Sequence, residues 1–214
     1  SVLKAIDDAG VRDNTIVIYT SDNGSFMHRL DESDAKDHVD NDTVQGFRSD
    51  RHRSNGPLRG TKADIWEAGH RVPFFVRWPG QVKESSRSAT TICLTDIFAT
   101  LVDVLAKPRP DNAAPDSFSF LSDLHGKKRE TERPVVIHHS SAGMFSGRLG
   151  DWKLVLGNGS GGRQLPKGKP FERPYELYNL ADDLAETNNV IADHRDIAHK
   201  LESVIERVRN TESY

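Results

Sequence analysis

Cysteine is nearly absent: Cys93 is the only one in 214 residues, which excludes an internal disulfide and any metal cluster built from thiolates alone. Set in "TTICLTDIF", it reads as a small buried side chain rather than a nucleophile. Long apolar runs are missing too, and none approaches the roughly 20 residues that span a bilayer. Neither sign of charge dominates, since 29 lysines and arginines face 32 acids for a formal net charge of -3. No basic field therefore points to nucleic acid. Hydrophobic residues at 36% and charged residues at 29% are the proportions of a globular chain, long enough to bury a core in one large domain or two small ones. There is no internal repeat and no low-complexity tract. An initiator Met and a charged, apolar leader are also lacking at the first residues, which already read as the last turns of a helix. We expect residue 1 to lie inside a longer protein.

What is present begins with that helix. In "SVLKAIDDAG", Val2, Leu3, Ile6 and Ala9 share one face and Gly10 suits the stop. A short turn leads to residues 15–20, "TIVIYT", whose unbroken apolarity is expected of a parallel strand covered on both faces. Residues 25–57 are polar and aperiodic, a loop of a length that is usually functional or disordered. "VPFFVRWPG" at 72–80 reads as a second buried strand. Ile97, Phe98, Leu101, Val104 and Leu105 give a helical stripe that ends before Lys107-Pro108. The pattern then changes, after a Pro, Asp and Asn cluster at 108–116 and the charged "HGKKRETERP" at 125–134. "PVVIHH", "MFSGRL", "DWKLVLG" and "YELYNL" are short runs separated by turn residues, as in an antiparallel meander. Ile197, Leu201, Val204, Ile205 and Val208 mark a closing amphipathic helix. The fold class is α/β, with a first domain over 1–133 and a subdomain of antiparallel sheet plus helix over 134–214.

The chemistry gathers where the first apolar run stops, at "SDNG", residues 21–24. In open α/β sheets ligands bind outside the carboxyl ends of the strands. Asp22 and Asn23 offer two hard oxygen donors there, of the kind Ca²⁺ and Mg²⁺ prefer. Gly24 lets the backbone turn away. The same four residues also describe an ordinary Asn-Gly turn. A second segment, "NGPLRGTKADIWEAGHRVPFFVRWPG" at 55–80, places Arg59 and Lys62 on either side of a glycine. Such cations suit a tetrahedral oxyanion, and equally a solvated basic turn.

Together with "TDIFATLVDVL" at 95–105, "DWKLV" at 151–155 and "ELYNLADDLAETNNV" at 176–190, these blocks follow the order of a known family. The chain resembles the formylglycine-dependent (type I) sulfatases of the alkaline phosphatase superfamily, over most of its length. The resemblance implies an alkaline phosphatase-like sulfatase fold, represented by its C-terminal portion. It implies that Asp22 and Asn23 are two of four protein ligands of an active-site Ca²⁺, with Mg²⁺ as the alternative cation. It further implies that Lys62 binds the sulfate group. Glu67, Gly69, Arg71, Val72 and Pro73 match the block that follows and read as structural support. Related phosphatases carry Asp-His at this place, suited to zinc, so Asn23 favours a sulfatase.

The family's nucleophile, a formylglycine made from C/S-x-P-x-R, has no counterpart in these residues: Cys93 precedes Leu-Thr-Asp, and Ser54 precedes Asn-Gly-Pro, one position out of register. The formylglycine, the remaining metal ligands and the leaving-group acid are expected upstream. The partners expected are a sulfated small molecule or carbohydrate and the missing N-terminal part of the catalytic domain. The isolated chain is expected to be inactive. Two alternatives remain open: a non-catalytic remnant of the fold that binds or supports, and a phosphoryl or phosphonyl hydrolase of the same superfamily. His28 and Arg29, just past the metal pair, are candidate substrate contacts. Location is not legible here, although the resemblance implies a periplasmic, secreted or lysosomal enzyme. "GNGSGG" at 157–162 fits a dinucleotide fingerprint only on paper and reads as a hairpin loop, because prolines rather than a helix follow. His138 and His139 fall on opposite faces of a strand, so they do not form a joint metal site.

Overall fold

A computed structural model describes residues 1–25, 54–110, 112–129 and 133–211. The chain forms two compact units that interleave: Ser1–Ser21 with Pro73–Pro134, and Asp22–Val72 with Val135–Thr211. One passage between the units falls at Pro134/Val135, beside the division expected at 133/134. Ile65 and Trp66, within the expected first domain, gather with Val155 and Tyr178 of the C-terminal sheet and give it an apolar cover.

In the first unit, helix α1 (Val2–Asp8) is capped by Ser1, whose hydroxyl accepts from the Lys4 N–H at 3.3 Å, and it has no buried residue. Strand β1 (Val17–Thr20) pairs antiparallel with β2 (Phe74–Arg77), Val17 opposite Arg77 and Thr20 opposite Phe74. This corrects the expectation of a parallel strand buried on both sides. Ile18 and Val76 gather with Ile97 and Val104 of α3 (Asp96–Val104) and with Leu124 of α4 (Leu121–Leu124). Tyr19 and Phe75 lie opposite one another, 67% and 64% exposed, with ring centroids 6.1 Å apart. The apolar run thus combines one inward face with a cross-strand aromatic pair.

Helix α3 also departs from its pattern. Its buried residues are Asp96, Ala99 and Thr100, while Phe98 and Leu101 of the apolar stripe are exposed. The polar side chains win the inner face because they have partners. Asp96 accepts from the N–H groups of Cys93 (2.8 Å) and Phe118 (3.0 Å) and from Arg133 (2.5 Å), and the Thr100 hydroxyl accepts from the Phe120 N–H at 3.0 Å. Burial raises the pKa of the Cys93 thiol, which keeps it in the unreactive form.

The second unit carries the expected meander. Strands β3 (Val136–His139), β4 (Phe145–Leu149), β5 (Trp152–Val155) and β6 (Glu176–Asn179) are antiparallel neighbours in chain order. On one face Leu154 and Leu177 meet Leu201 and Ile205 of α5 (Arg195–Thr211). Each such fully buried side chain contributes roughly 2 kcal/mol. Gly147 leaves room for this packing, since a Cβ there would stand 2.8 Å from Ile205 Cδ1 and displace that side chain. On the other face Val155 and Tyr178 pack against Ile65 and Trp66. Alternation therefore buries both faces, and residues near Ile65 are the second cover. Among the described residues no helix is long and apolar enough to cross a membrane.

Candidate functional site

Immediately after β1, the Asp22-Asn23-Gly24-Ser25 turn meets helix α2 (Glu67–His70) and the loop before it. The Gly24 N–H donates to the Gly69 carbonyl at 3.1 Å. A Cβ at Gly24 would stand 1.5 Å from the Ala68 carbonyl oxygen, and one at Gly69 would stand 2.2 Å from that of Asp64. Only glycine permits either approach. Ser25 is clasped by the buried Asn55, which accepts from its N–H at 3.0 Å and donates to its carbonyl at 2.7 Å. The same carbonyl accepts from the Thr61 hydroxyl at 2.7 Å and from the Lys62 N–H at 3.3 Å. Residues thirty or more positions apart are thereby fixed into one loop cluster.

Asp22 is exposed in this cluster, while Asn23 and Lys62 are half-buried. The Asn23 amide donates weakly to the Gly24 carbonyl at 3.4 Å. One carboxylate beside one carboxamide is a donor set that fits a hard divalent cation and does not suit zinc. Such a cation takes about six to eight oxygens, and no group of three His, Cys, Asp or Glu residues is placed to hold a metal ion among the described residues. These residues could supply part of the shell. His28 and Arg29 lie outside the described residues.

Arg59, the other cation of the R-G-x-K block, is engaged inside the fold. Its guanidinium lies 3.6 Å from the centre of the Trp66 ring and donates to the Glu186 carbonyl at 2.6 Å and to the Tyr178 hydroxyl at 3.3 Å.

Behind α2 stands a buried charge network. Lys153 Nζ is 3.1 Å from Glu67 Oε1 and 2.8 Å from Glu186 Oε1, and Arg148 is 3.0 Å from Glu67 Oε2. Glu186 also accepts from the Glu67 N–H at 2.5 Å. Burial works against each charge, yet the Lys153 and Arg148 charges hold the Glu67 pKa below its ordinary value. Glu186 and Glu67 likewise hold Lys153 above its own despite burial. For Glu186 burial prevails and the pKa is raised. His70 and His138 meet with ring centroids 4.1 Å apart. Burial, with Lys153 nearby, depresses His70 to about 4, and burial beside His70 takes His138 well below its usual range. His139 turns the other way, onto Phe145.

Sequence reasoning missed this network. Its single signal was Lys153, a charge at an alternating position between Trp152 and Leu154, and its acid partners lie far away in the chain. The "GNGSGG" run is a loop after β5, as expected, but it is not idle: Ser160 accepts on its carbonyl from the Ile65 N–H at 2.7 Å, directly beside the Lys62 loop.

The sulfatase family model matches residues 1–107. The chain belongs to the sulfatase family. It is 32% identical over 213 residues to an N-acetylgalactosamine-6-O-sulfatase of Bacteroides thetaiotaomicron, covering 97% of this chain and 39% of that one. To a steryl-sulfatase of Mus musculus it is 30% identical over 142 residues, covering 66% of this chain and 20% of that one. A solved Bacteroides thetaiotaomicron sulfatase, described under the metabolism of multiple glycosaminoglycans, superposes with a TM-score of 0.77 at 30% identity, covering 98% of this chain and 42% of that one. The fold is therefore the alkaline phosphatase-like sulfatase fold, α/β with antiparallel sheets. This sulfatase chain spans about two fifths of the length of its first relative.

Proposed function

We propose that the complete protein hydrolyses sulfate esters, and that Asp22 and Asn23 ligate a Ca²⁺ ion while Lys62 binds the sulfate group. The observation that carries this reading is the joining of the Lys62 N–H, the Thr61 hydroxyl and the Asn55 amide on the single Ser25 carbonyl. It brings the acid-amide turn and the lysine loop into one cluster. A bound divalent cation would polarise the sulfate oxygens. The Lys62 ammonium neutralises charge on the transferring sulfuryl group. Asp22 and Asn23 orient through their oxygens, and Gly24 keeps both near α2. The formylglycine hydrate that attacks sulfur and the acid that protonates the leaving group are proposed to lie in the part of the protein beyond these residues. Mg²⁺ is the alternative cation.

A sulfated carbohydrate is the proposed substrate class, supported by the names of the Bacteroides relatives. His28 and Arg29 remain proposed substrate contacts. A phosphoryl or phosphonyl hydrolase is the second reading, and Asn23 speaks against it, since a carboxamide is a poor zinc ligand. The test uses the full-length enzyme with a 6-O-sulfated amino sugar, an aryl sulfate and the matching phosphate monoesters. Sulfate esters should be preferred, and Lys62→Ala should lower kcat by about 10²–10³-fold, the range for losing one stabilising donor. An unchanged rate for Lys62→Ala, or preference for phosphate, overturns the reading. No turnover by an intact, metal-loaded enzyme on any of these esters would favour the non-catalytic remnant.

A further inference from the structure

The loop that carries Lys62 is held in a conformation it would not choose. Ala63 has φ of +81°, a region that a residue with a Cβ occupies only when its surroundings force it. What forces it is Asp64, fully buried. One carboxylate oxygen of Asp64 accepts from the Thr61 N–H at 2.9 Å. The other accepts from the N–H groups of Arg163 (2.6 Å) and Gln164 (3.2 Å), about a hundred residues away. The Ala63 carbonyl in turn accepts from the Ser141 N–H at 3.0 Å. Gly162 must be glycine for this approach, because a Cβ there would stand 2.4 Å from the Ala63 carbonyl and 2.5 Å from Asp64 Oδ1. Lys62 is therefore flanked by three tied points: Thr61 to Asp64, its own N–H to Ser25, and Ala63 to Ser141.

We propose that Asp64, with the glycine-rich loop at 157–162, is the positioning device for Lys62: it sets where the lysine backbone starts, and so where the ammonium ends. This rests on the proposed role of Lys62 as the sulfate-binding cation. The chemistry required of Asp64 is that of a pure acceptor, since it faces three N–H donors. An asparagine of the same shape turns an NH₂ donor toward one of them. A flexible four-carbon stem makes the backbone origin matter, because a stem rooted elsewhere must reach the same point at greater entropic cost.

The experiment is a double-mutant cycle in the full-length enzyme. Asp64→Asn should lower kcat/KM by about 10–100-fold, the scale of a displacement near 1 Å in a reacting site. Affinity for inorganic sulfate, read as competitive inhibition, should fall with it. In a Lys62→Ala background Asp64→Asn should cost nothing further, because the group it positions is gone. Gly162→Ala, whose Cβ would press on both the Ala63 carbonyl and Asp64 Oδ1, should repeat the pattern and serves if Asp64→Asn does not fold. Equal losses in both backgrounds overturn the proposal and leave the function standing, as they would mark a structural role alone. A silent Lys62→Ala instead overturns the functional reading, and this inference with it.

Discussion

Gly24→Ala is the most direct probe of how the site is held. An alanine Cβ would stand 1.5 Å from the Ala68 carbonyl oxygen, 2.6 Å from its carbon and 3.2 Å from Gly69 Cα. Ordinary C···O contacts begin at about 3.3 Å, so the turn must retreat from α2 by roughly 2 Å. All three obstacles are backbone, and no rotamer change can relieve the clash. The Gly24 to Gly69 hydrogen bond, 3.1 Å long, would then be broken. Leaving its buried N–H unpaired costs about 1–3 kcal/mol. Asp22 and Asn23, in their proposed role as cation ligands, travel with the turn, and displacement by more than 1 Å from the productive position costs on the order of 10²-fold in rate. The assay is Ca²⁺ titration by calorimetry beside kcat/KM on a sulfated amino sugar in the full-length enzyme, with thermal melting as a control. Both cation affinity and kcat/KM should drop by two orders of magnitude while the protein still melts cooperatively. Affinity and rate within threefold of the unsubstituted enzyme would show that the turn does not depend on α2, and would remove the argument for a glycine there.

Lys153→Met should destabilise the protein by about 3–5 kcal/mol, since it takes the cation from the buried Glu186 carboxylate and leaves Glu67 to its arginine partners Arg148 and Arg71. Combining it with Glu67→Gln and Glu186→Gln should restore part of the loss. The penalty should shrink as the pH falls and the carboxylates take up protons. Urea unfolding followed by tryptophan fluorescence checks both, and a loss under 1 kcal/mol that does not vary with pH contradicts the network. For His70 the sign is the same as that of a paired carboxylate, because its folded pKa is also lowered, here by burial. The unfolded chain takes up a proton near pH 6.5, but the folded form waits until about 4, so stability is complete above 6.5 and declines as the pH falls toward 4. The decline is at most about 3 kcal/mol. His70→Phe should flatten that part of the stability profile, and an unaltered slope would show that His70 does not cause it.

The parts of this chain legible in its sequence are those in which neighbouring letters carry the signal. Four short runs with glycine turns between them gave the meander, because alternation and φ > 0 are local matters. Asp22 and Asn23 stood out because both donors fall in one turn. Pairing direction is not local, and β1 was misjudged for that reason: Tyr19 was apolar for the sake of Phe75, which the run itself does not contain. Helix α3 lies where its stripe predicts it, but the burial of Asp96 and Thr100 depends on partners at 118 and 120 that the stripe does not contain. Lys153 and Asp64 were the least readable, since their meaning lies in residues 86 and 100 positions away.

These distant pairs share one segment. Residues 59–70 provide Trp66 and Ile65 as the second cover of the C-terminal sheet, Glu67 as the partner of Lys153, and the loop that carries Lys62. The cover and the site are therefore the same piece of backbone, and a core position on that face of the sheet is also a position behind the site. Val155 and Tyr178 touch Ile65 or Trp66 through this core, whereas Leu154 and Leu177 face α5. The sheet's two faces should accordingly differ in kind. Volume lost beneath α5 has only stability to affect, but volume lost beneath Trp66 has a direct route through Arg59, Glu67 and Asp64 to the placement of Lys62.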